Sequence, residues 1–269
     1  MMSTMEAGRG TTERAAWRAV AVPCEHGGWG LTLEPVLLGL IIAWSVSGLA
    51  LGVAAFAAFL VRTPLKLVLI DLRRRRWLER SRLAAQIATG ELAVLGGAVV
   101  LAGLRSGMTW LVPAALALPL VAVEMWFDIR SRGRRLVPEL CGAIGIAAVV
   151  AVIVLASGRD FRLAIGSWLV LSARAVGAIP FVRVQIMRLR RGHGDVWHSD
   201  LAQACSLGIG IVAILVDTRL AAGCVGVAVL ALLQTLWVRR PPIAAKQLGL
   251  RQMALGIGLV AVTAAGVLW

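Results

Sequence analysis

Arg62, Lys66, Arg174 and Arg183 fall inside long apolar stretches of the chain. An ionised group at the centre of a membrane-spanning helix costs about 2.5–3.5 kcal/mol on insertion scales, so such groups face a cavity or a partner. Lys66 and Arg73 follow Arg62 at offsets of 4 and 11 residues. On a helix, those offsets put the three within about 40° of one another. Pro64, between the first two, lacks a backbone donor and is expected to kink the run. A basic stripe beside a kink suits an anionic group such as a phosphate or a carboxylate. Gln185 and Arg188 stand 11 and 14 residues after Arg174, again with a proline, Pro180, between. Arg183 points to the opposite side of that run. The candidate substrate-binding residues are therefore Arg62, Lys66, Arg174, Arg183 and Gln185, and two kinked basic helices suggest two halves around one central site.

Acid–base chemistry has fewer candidates. Glu25 and His26 sit in the segment Pro23-Cys24-Glu25-His26-Gly27-Gly28-Trp29-Gly30, where clustered glycines let backbone approach a ligand closely. They form the candidate catalytic pair. Glu124 and Asp128 share a helix face and have the chemistry to hold Mg²⁺ with waters; ion pairing with Arg130 or a neighbouring helix is the favoured reading, and no metal site is assigned. Glu34 and Glu91 lie deep enough to partner Arg62 and Arg174. His193 and His198, near Asp195 and Asp200, have metal-ligand side chains but no enforcing spacing. Cys24, Cys141, Cys205 and Cys224 show no C-x-x-C spacing and read as small packing residues.

These groups are positioned by elements that composition already defines. The 269 residues are 59% hydrophobic and 16% charged, with a mean hydropathy of +0.84; a soluble domain runs at about 25% charged. This excludes a soluble enzyme, a secreted disulfide scaffold and a disordered tail. Apolar runs at 31–48, 49–70, 84–104, 108–127, 139–157, 163–187, 200–217, 220–238 and 252–269 predict nine transmembrane helices. The first two are parted only by a turn signal at Ser45–Gly48. The expected organisation is an N-terminal arm over 1–30, carrying the Glu-His-Gly motif, and one transmembrane helical domain over 31–269.

Orientation follows from the basic residues. The N-terminal arm and alternate gaps hold twenty Lys and Arg, whereas the remaining gaps hold four: Arg105, Arg159, Arg162 and Arg219. Such a bias puts the N-terminus in the cytoplasm and Trp269 on the far side. The net charge of +14 is thus a topology signal rather than a nucleic-acid surface. No apolar stretch precedes Ala19, so no cleavable signal peptide is expected. Trp29, Trp77, Trp110, Trp126, Trp197, Trp237 and Trp269 fall near predicted helix ends and read as interfacial anchors.

The Pro23–Gly30 string, followed by Glu34-Pro35-Val36-Leu37-Leu38-Gly39, resembles the N-terminal signature of the YwiC-like bacterial membrane proteins. Arg62-Thr63-Pro64-Leu65-Lys66, Pro138-Glu139-Leu140-Cys141-Gly142-Ala143 and Lys246-Gln247-Leu248-Gly249 resemble the same family, so the likeness extends over most of the chain. A more distant similarity is to the UbiA-type intramembrane prenyltransferases. It implies nine helices, a cytoplasmic N-terminus and active-site segments on the second and sixth helices. That superfamily binds Mg²⁺ and a prenyl diphosphate through Asp-rich motifs. Here Arg62-Thr63-Pro64-Leu65-Lys66 and then Asp71 stand at the first, and Arg183-Val184-Gln185 at the second. Arg and Lys would contact an anion directly, so the fold carries over and Mg²⁺-dependent prenyl transfer does not follow.

The sequence therefore predicts an all-α, polytopic protein of the bacterial inner membrane with a cytoplasm-facing basic pocket. Its expected partners are membrane lipids, with an anionic lipid or isoprenoid as substrate and no nucleic acid. The leading expectation is a UbiA-like transferase lacking the Asp-rich motifs. The alternatives are a small-anion transporter, since midplane charges and broken helices mark transport paths, and a non-catalytic membrane subunit or assembly factor.

Overall fold

A computed structural model describes Val20 and residues 26–130 and 135–269. The described residues form nine helices and no strands: α1 (His26–Ile42), α2 (Val46–Arg73), α3 (Glu79–Arg105), α4 (Leu111–Ile129), α5 (Leu136–Ala156), α6 (Phe161–Arg191), α7 (Trp197–Val216), α8 (Ala221–Trp237) and α9 (Ala245–Leu268). Eight spans, α2 to α9 (the α8 span counted from Thr218), are long and apolar enough to cross a membrane, and α1 is a shorter apolar helix. This is the membrane-protein architecture that composition requires.

Helix ends follow local chemistry. Ser45 ends the α1–α2 turn with its hydroxyl accepting from Gly48 N at 2.8 Å, and Asp160 caps α6 by accepting from Leu163 N at 2.9 Å. Each satisfies a backbone donor that the helix leaves over. Helix α1 begins at His26 rather than 31, which puts Trp29 and Gly30 inside it. Both α2 and α6 run unbroken through Pro64 and Pro180, so the carbonyls four residues earlier lose their helical donor without ending the helix. A break arises instead at Ala148, which divides α5 into Leu136–Ala147 and Val149–Ala156.

Helix α5 is central, touching α1, α2, α4 and α6, while α6, α7, α8, α9 and α1 follow one another in contact. Burial agrees: 67% of the spans of α5 and α6 is buried, against 11% for α3. The core gathers Leu38, Ile42, Val150, Ile153, Val154 and Leu163. A second, smaller apolar cluster of Phe181, Val184, Val238 and Leu248 sits where α6, the end of α8 and α9 meet. Trp126 and Trp197 are exposed, as interfacial anchors would be, but Trp110 is buried in the main core and serves packing instead.

Candidate functional site

The α2 stripe faces carboxylates. Arg62 donates from Nε and Nη2 to Asp128 Oδ2 at 3.1 and 2.8 Å, and its Nη2 lies 2.8 Å from Glu124 Oε1. Lys66 Nζ is 3.3 Å from the other Asp128 oxygen. Asp128 is buried and Arg62 half-buried, so two cations and two anions close a near-neutral network between α2 and α4. The Glu124 carboxylate rests against Gly142 of α5, where a Cβ would collide with it. Arg183, on the other side of α6, donates to Glu139 Oε2 at 2.8 Å.

Arg62, Lys66 and Arg183 therefore do not present one bare basic pocket. Glu124 and Asp128 turn their oxygens to guanidinium and ammonium groups of α2, which is the ion-pairing alternative. Among the described residues no group of three or more His, Cys, Asp or Glu side chains comes together for a metal. His198 stacks on Trp197 at 3.9 Å, and Asp200 pairs with Arg239. Asp71 is buried in a cage of Arg76, Arg80 and Ser81 that fastens the start of α3 to the end of α2.

Arg174 is fully buried in α6. Its Nη2 donates to the Gln252 carbonyl of α9 at 2.7 Å and lies 3.6 Å from Glu34 Oε1 of α1. The Glu34 carboxylate lies on Gly256, which has no side chain to exclude it. Glu34 is thus the partner of Arg174, and Glu124 and Asp128 are carboxylates that meet Arg62. Arg62 and Lys66 of α2 meet carboxylates of α4, whereas Arg174 and Arg183 of α6 meet Glu34 of α1 and Glu139 of α5.

Of the three residues expected on one face of α6, Gln185 and Arg188 both reach the chain at the end of α8. Gln185 Nε2 donates to the Trp237 carbonyl at 2.9 Å, and Arg188 donates to the carbonyls of Val238 and Arg240. Gln185 also lines a crevice of about 250 Å³ between α6, α8 and α9, walled by Phe181, Trp237, Ile243 and Leu248, with Arg240 and Arg251 on its rim. The Gln185 Oε1 atom is buried and accepts no hydrogen bond among the described residues. Arg251 lies flat on the Trp237 ring, 3.0 Å from its centroid. Among the described residues neither Arg240 nor Arg251 has a carboxylate partner, unlike Arg62 and Lys66 of α2.

Sequence reasoning missed Arg240 and Arg251 because they stand in a gap between helices, where a cation reads as a topology signal. Pro241-Pro242 was the available clue, since two prolines hold a linker extended and short. Glu25 lies outside the described residues, and His26 opens α1.

A profile of the family described as YwiC-like protein matches residues 22–154. No curated protein and no solved structure matches the chain. The matched segment contains Glu25, His26, Glu34, the α2–α4 charge network and Glu139; the crevice lies beyond it.

Proposed function

We propose, for a chain whose residues 22–154 belong to the YwiC-like family, that it is a multi-pass protein of the bacterial inner membrane that holds an anionic lipid at its cytoplasmic face. The N-terminus is cytoplasmic in this reading. The observation that carries it is the crevice: two guanidinium groups without carboxylate partners among the described residues, set beside apolar walls. An amphiphile needs that combination, since charge-assisted hydrogen bonds hold a phosphate while buried apolar surface holds its chain. Gln185 is the binding residue expected from sequence that lies there, and Arg240 and Arg251 supply the charge expected of Arg62 and Lys66.

In this reading Arg62, Lys66 and Arg183 brace the bundle through Glu124, Asp128 and Glu139. Acid–base work in any transfer step is assigned to Glu25 and His26, which both lie in the matched segment. Small-anion transport is the second reading, favoured by the buried Arg174.

The test is thermal stabilisation of the purified protein by short-chain phosphatidic acid, with phosphatidylcholine as control, each with Mg²⁺ and with EDTA. At about 100 times its dissociation constant a ligand stabilises by about 2.7 kcal/mol. Metal-independent stabilisation by the acidic lipid, lost in Arg240→Gln/Arg251→Gln, is expected. Equal stabilisation of that variant and the parent would sink the crevice as the head-group site.

A further inference from the structure

Four consecutive arginines, Arg73 to Arg76, close helix α2, and Arg80 and Arg82 follow at the start of α3. The backbone ends the helix with paired hydrogen bonds, Arg76 N to the Asp71 carbonyl at 3.0 Å and Arg75 N to the Leu72 carbonyl at 2.9 Å. That pattern puts the residue before Arg76 in the left-handed region, where helix ends ordinarily carry glycine. Here it is Arg75, at φ +52°, the one non-glycine residue with positive φ among the described residues. A Cβ is strained in that conformation, so an arginine there works against the fold.

Neither the turn nor the topology needs it. Buried Asp71 is held by Arg76, Arg80 and Ser81, which fastens the turn without Arg75. The charge rule for orientation counts arginines in a gap and is indifferent to which position carries them; a glycine at 75 would leave five of the six. Arg73, Arg74, Arg75 and Arg82 are exposed and make no ion pair among the described residues. Glu79, the one acidic residue between 72 and 82, pairs with none of them. What remains is a use for the side chain itself.

Leu72, Trp77 and Leu78 are also exposed, so apolar side chains flank the arginines on both sides at the end of the α2 span. An acidic peptide would meet the arginines and leave that apolar surface in water. A phospholipid answers both, because its phosphate accepts from guanidinium groups while its glycerol and upper chains cover leucine and tryptophan. We infer that the α2–α3 turn is a docking surface for an acidic phospholipid of the leaflet on its own side, with Arg73, Arg74 and Arg75 at the head group. Arg75 is kept for that contact against its backbone preference. The surface belongs to α2 and α3, apart from the crevice of α6, α8 and α9, and stands whether or not the crevice takes a lipid.

An open surface exchanges with bilayer lipid, so the test is made in a membrane. Full-length protein is reconstituted in phosphatidylcholine vesicles holding a minor fraction of brominated phosphatidylglycerol, or of brominated phosphatidylcholine as control. The fluorescence of Trp77, taken by difference from Trp77→Phe, reports quenching by lipid at the turn. Phosphatidylglycerol is expected to quench it more than phosphatidylcholine, with the same preference in Arg240→Gln/Arg251→Gln. Arg75→Gly should weaken the preference about fivefold, the share of one guanidinium. The same variant, in detergent without added lipid, should unfold about 2 °C higher, because the strained backbone is released. Arg73→Gln/Arg74→Gln should weaken the preference with no such gain. An unchanged preference in Arg75→Gly would overturn the role of Arg75, and a lower unfolding midpoint would overturn the strain that argues for it. No preference between the two lipids, with an octaglutamate peptide binding at Trp77 instead, would make the occupant an acidic protein segment and overturn the lipid. No preference and no peptide binding would overturn the docking surface altogether, and stabilisation by phosphatidic acid at the crevice would be untouched by any of these results.

Discussion

At the scale of single residues, the buried charges divide by what answers them. Arg62 and Lys66 meet Asp128, Arg183 meets Glu139, and Arg174 meets Glu34. Removing one member of a buried pair leaves a charge in low dielectric, which costs about 3–5 kcal/mol, whereas removing both costs less. Glu34→Gln is therefore expected to lower the thermal stability of detergent-purified protein more than Glu34→Gln/Arg174→Gln does. A double variant no more stable than the single would show that Glu34 is not the counter-charge of Arg174. That Glu34 and Glu91 could answer Arg62 and Arg174 was legible in the sequence, because all four stand deep in apolar runs, but the specific pairing of Glu34 with Arg174 was not. The partners of Arg62 were not: helical spacing fixes the face a side chain occupies but not which helix packs against that face. Arg240 and Arg251 were legible only as topology charges, since nothing in their spacing places them beside Gln185.

At the scale of elements, the caps and the turn clamps hold the helices in register. Ser45 separates α1 from α2 with one side-chain hydrogen bond, and Ser45→Ala should cost about 1 kcal/mol, read as a lower midpoint of thermal unfolding. A larger clamp joins the start of α6 to the turn before α8. Arg219 donates to Asp217 from Nε at 2.9 Å and to Asp160 from Nη2 at 2.7 Å. The Leu163 backbone N–H and Arg219 hold the Asp160 carboxyl below its usual range, and Arg219 does the same for Asp217. A carboxylate whose pKa is lower folded than unfolded adds stability that is complete above the unfolded value, about 3.9. That stability is lost as pH falls through the folded value. Asp160→Asn/Asp217→Asn should accordingly unfold earlier than the parent at pH 6, with the gap closing below about pH 4. A gap that holds constant to pH 3 would mean the clamp is not ionic. The turn at Ser45 was visible as a polar interruption. The break at Ala148 was not, because Ala147, Ala148 and Val149 continue an apolar run in which no residue type marks an end.

At the scale of the whole molecule, the alternation of basic and non-basic gaps is a statement about sides. With each of α2 to α9 crossing, the gaps holding Arg73–Arg82, Arg130–Arg135, Arg188–Arg191 and Arg239–Arg251 share one side, and those holding Arg105, Arg159, Arg162 and Arg219 share the other. The contacts agree within the first set: Arg188 reaches the carbonyl of Arg240, and Arg239 pairs with Asp200. Within the second set Arg219 pairs with Asp160. The negative potential of the cytoplasmic leaflet attracts the arginine-rich side at about 1 kcal/mol per residue near the surface. That side also bears the rim arginines of the crevice, so sidedness decides which leaflet could supply a lipid. His193→Cys and Arg159→Cys stand at exposed positions in opposite sets and report on it in a background without native cysteines. In intact bacterial spheroplasts an impermeant maleimide should label Arg159→Cys directly and His193→Cys only after permeabilisation. The reverse pattern would turn the protein over and place the crevice in the outer leaflet. Labelling of both in intact spheroplasts would require an even number of crossings between residues 159 and 193, so that α6, the helix carrying Arg174 and Gln185, would not span the membrane at all.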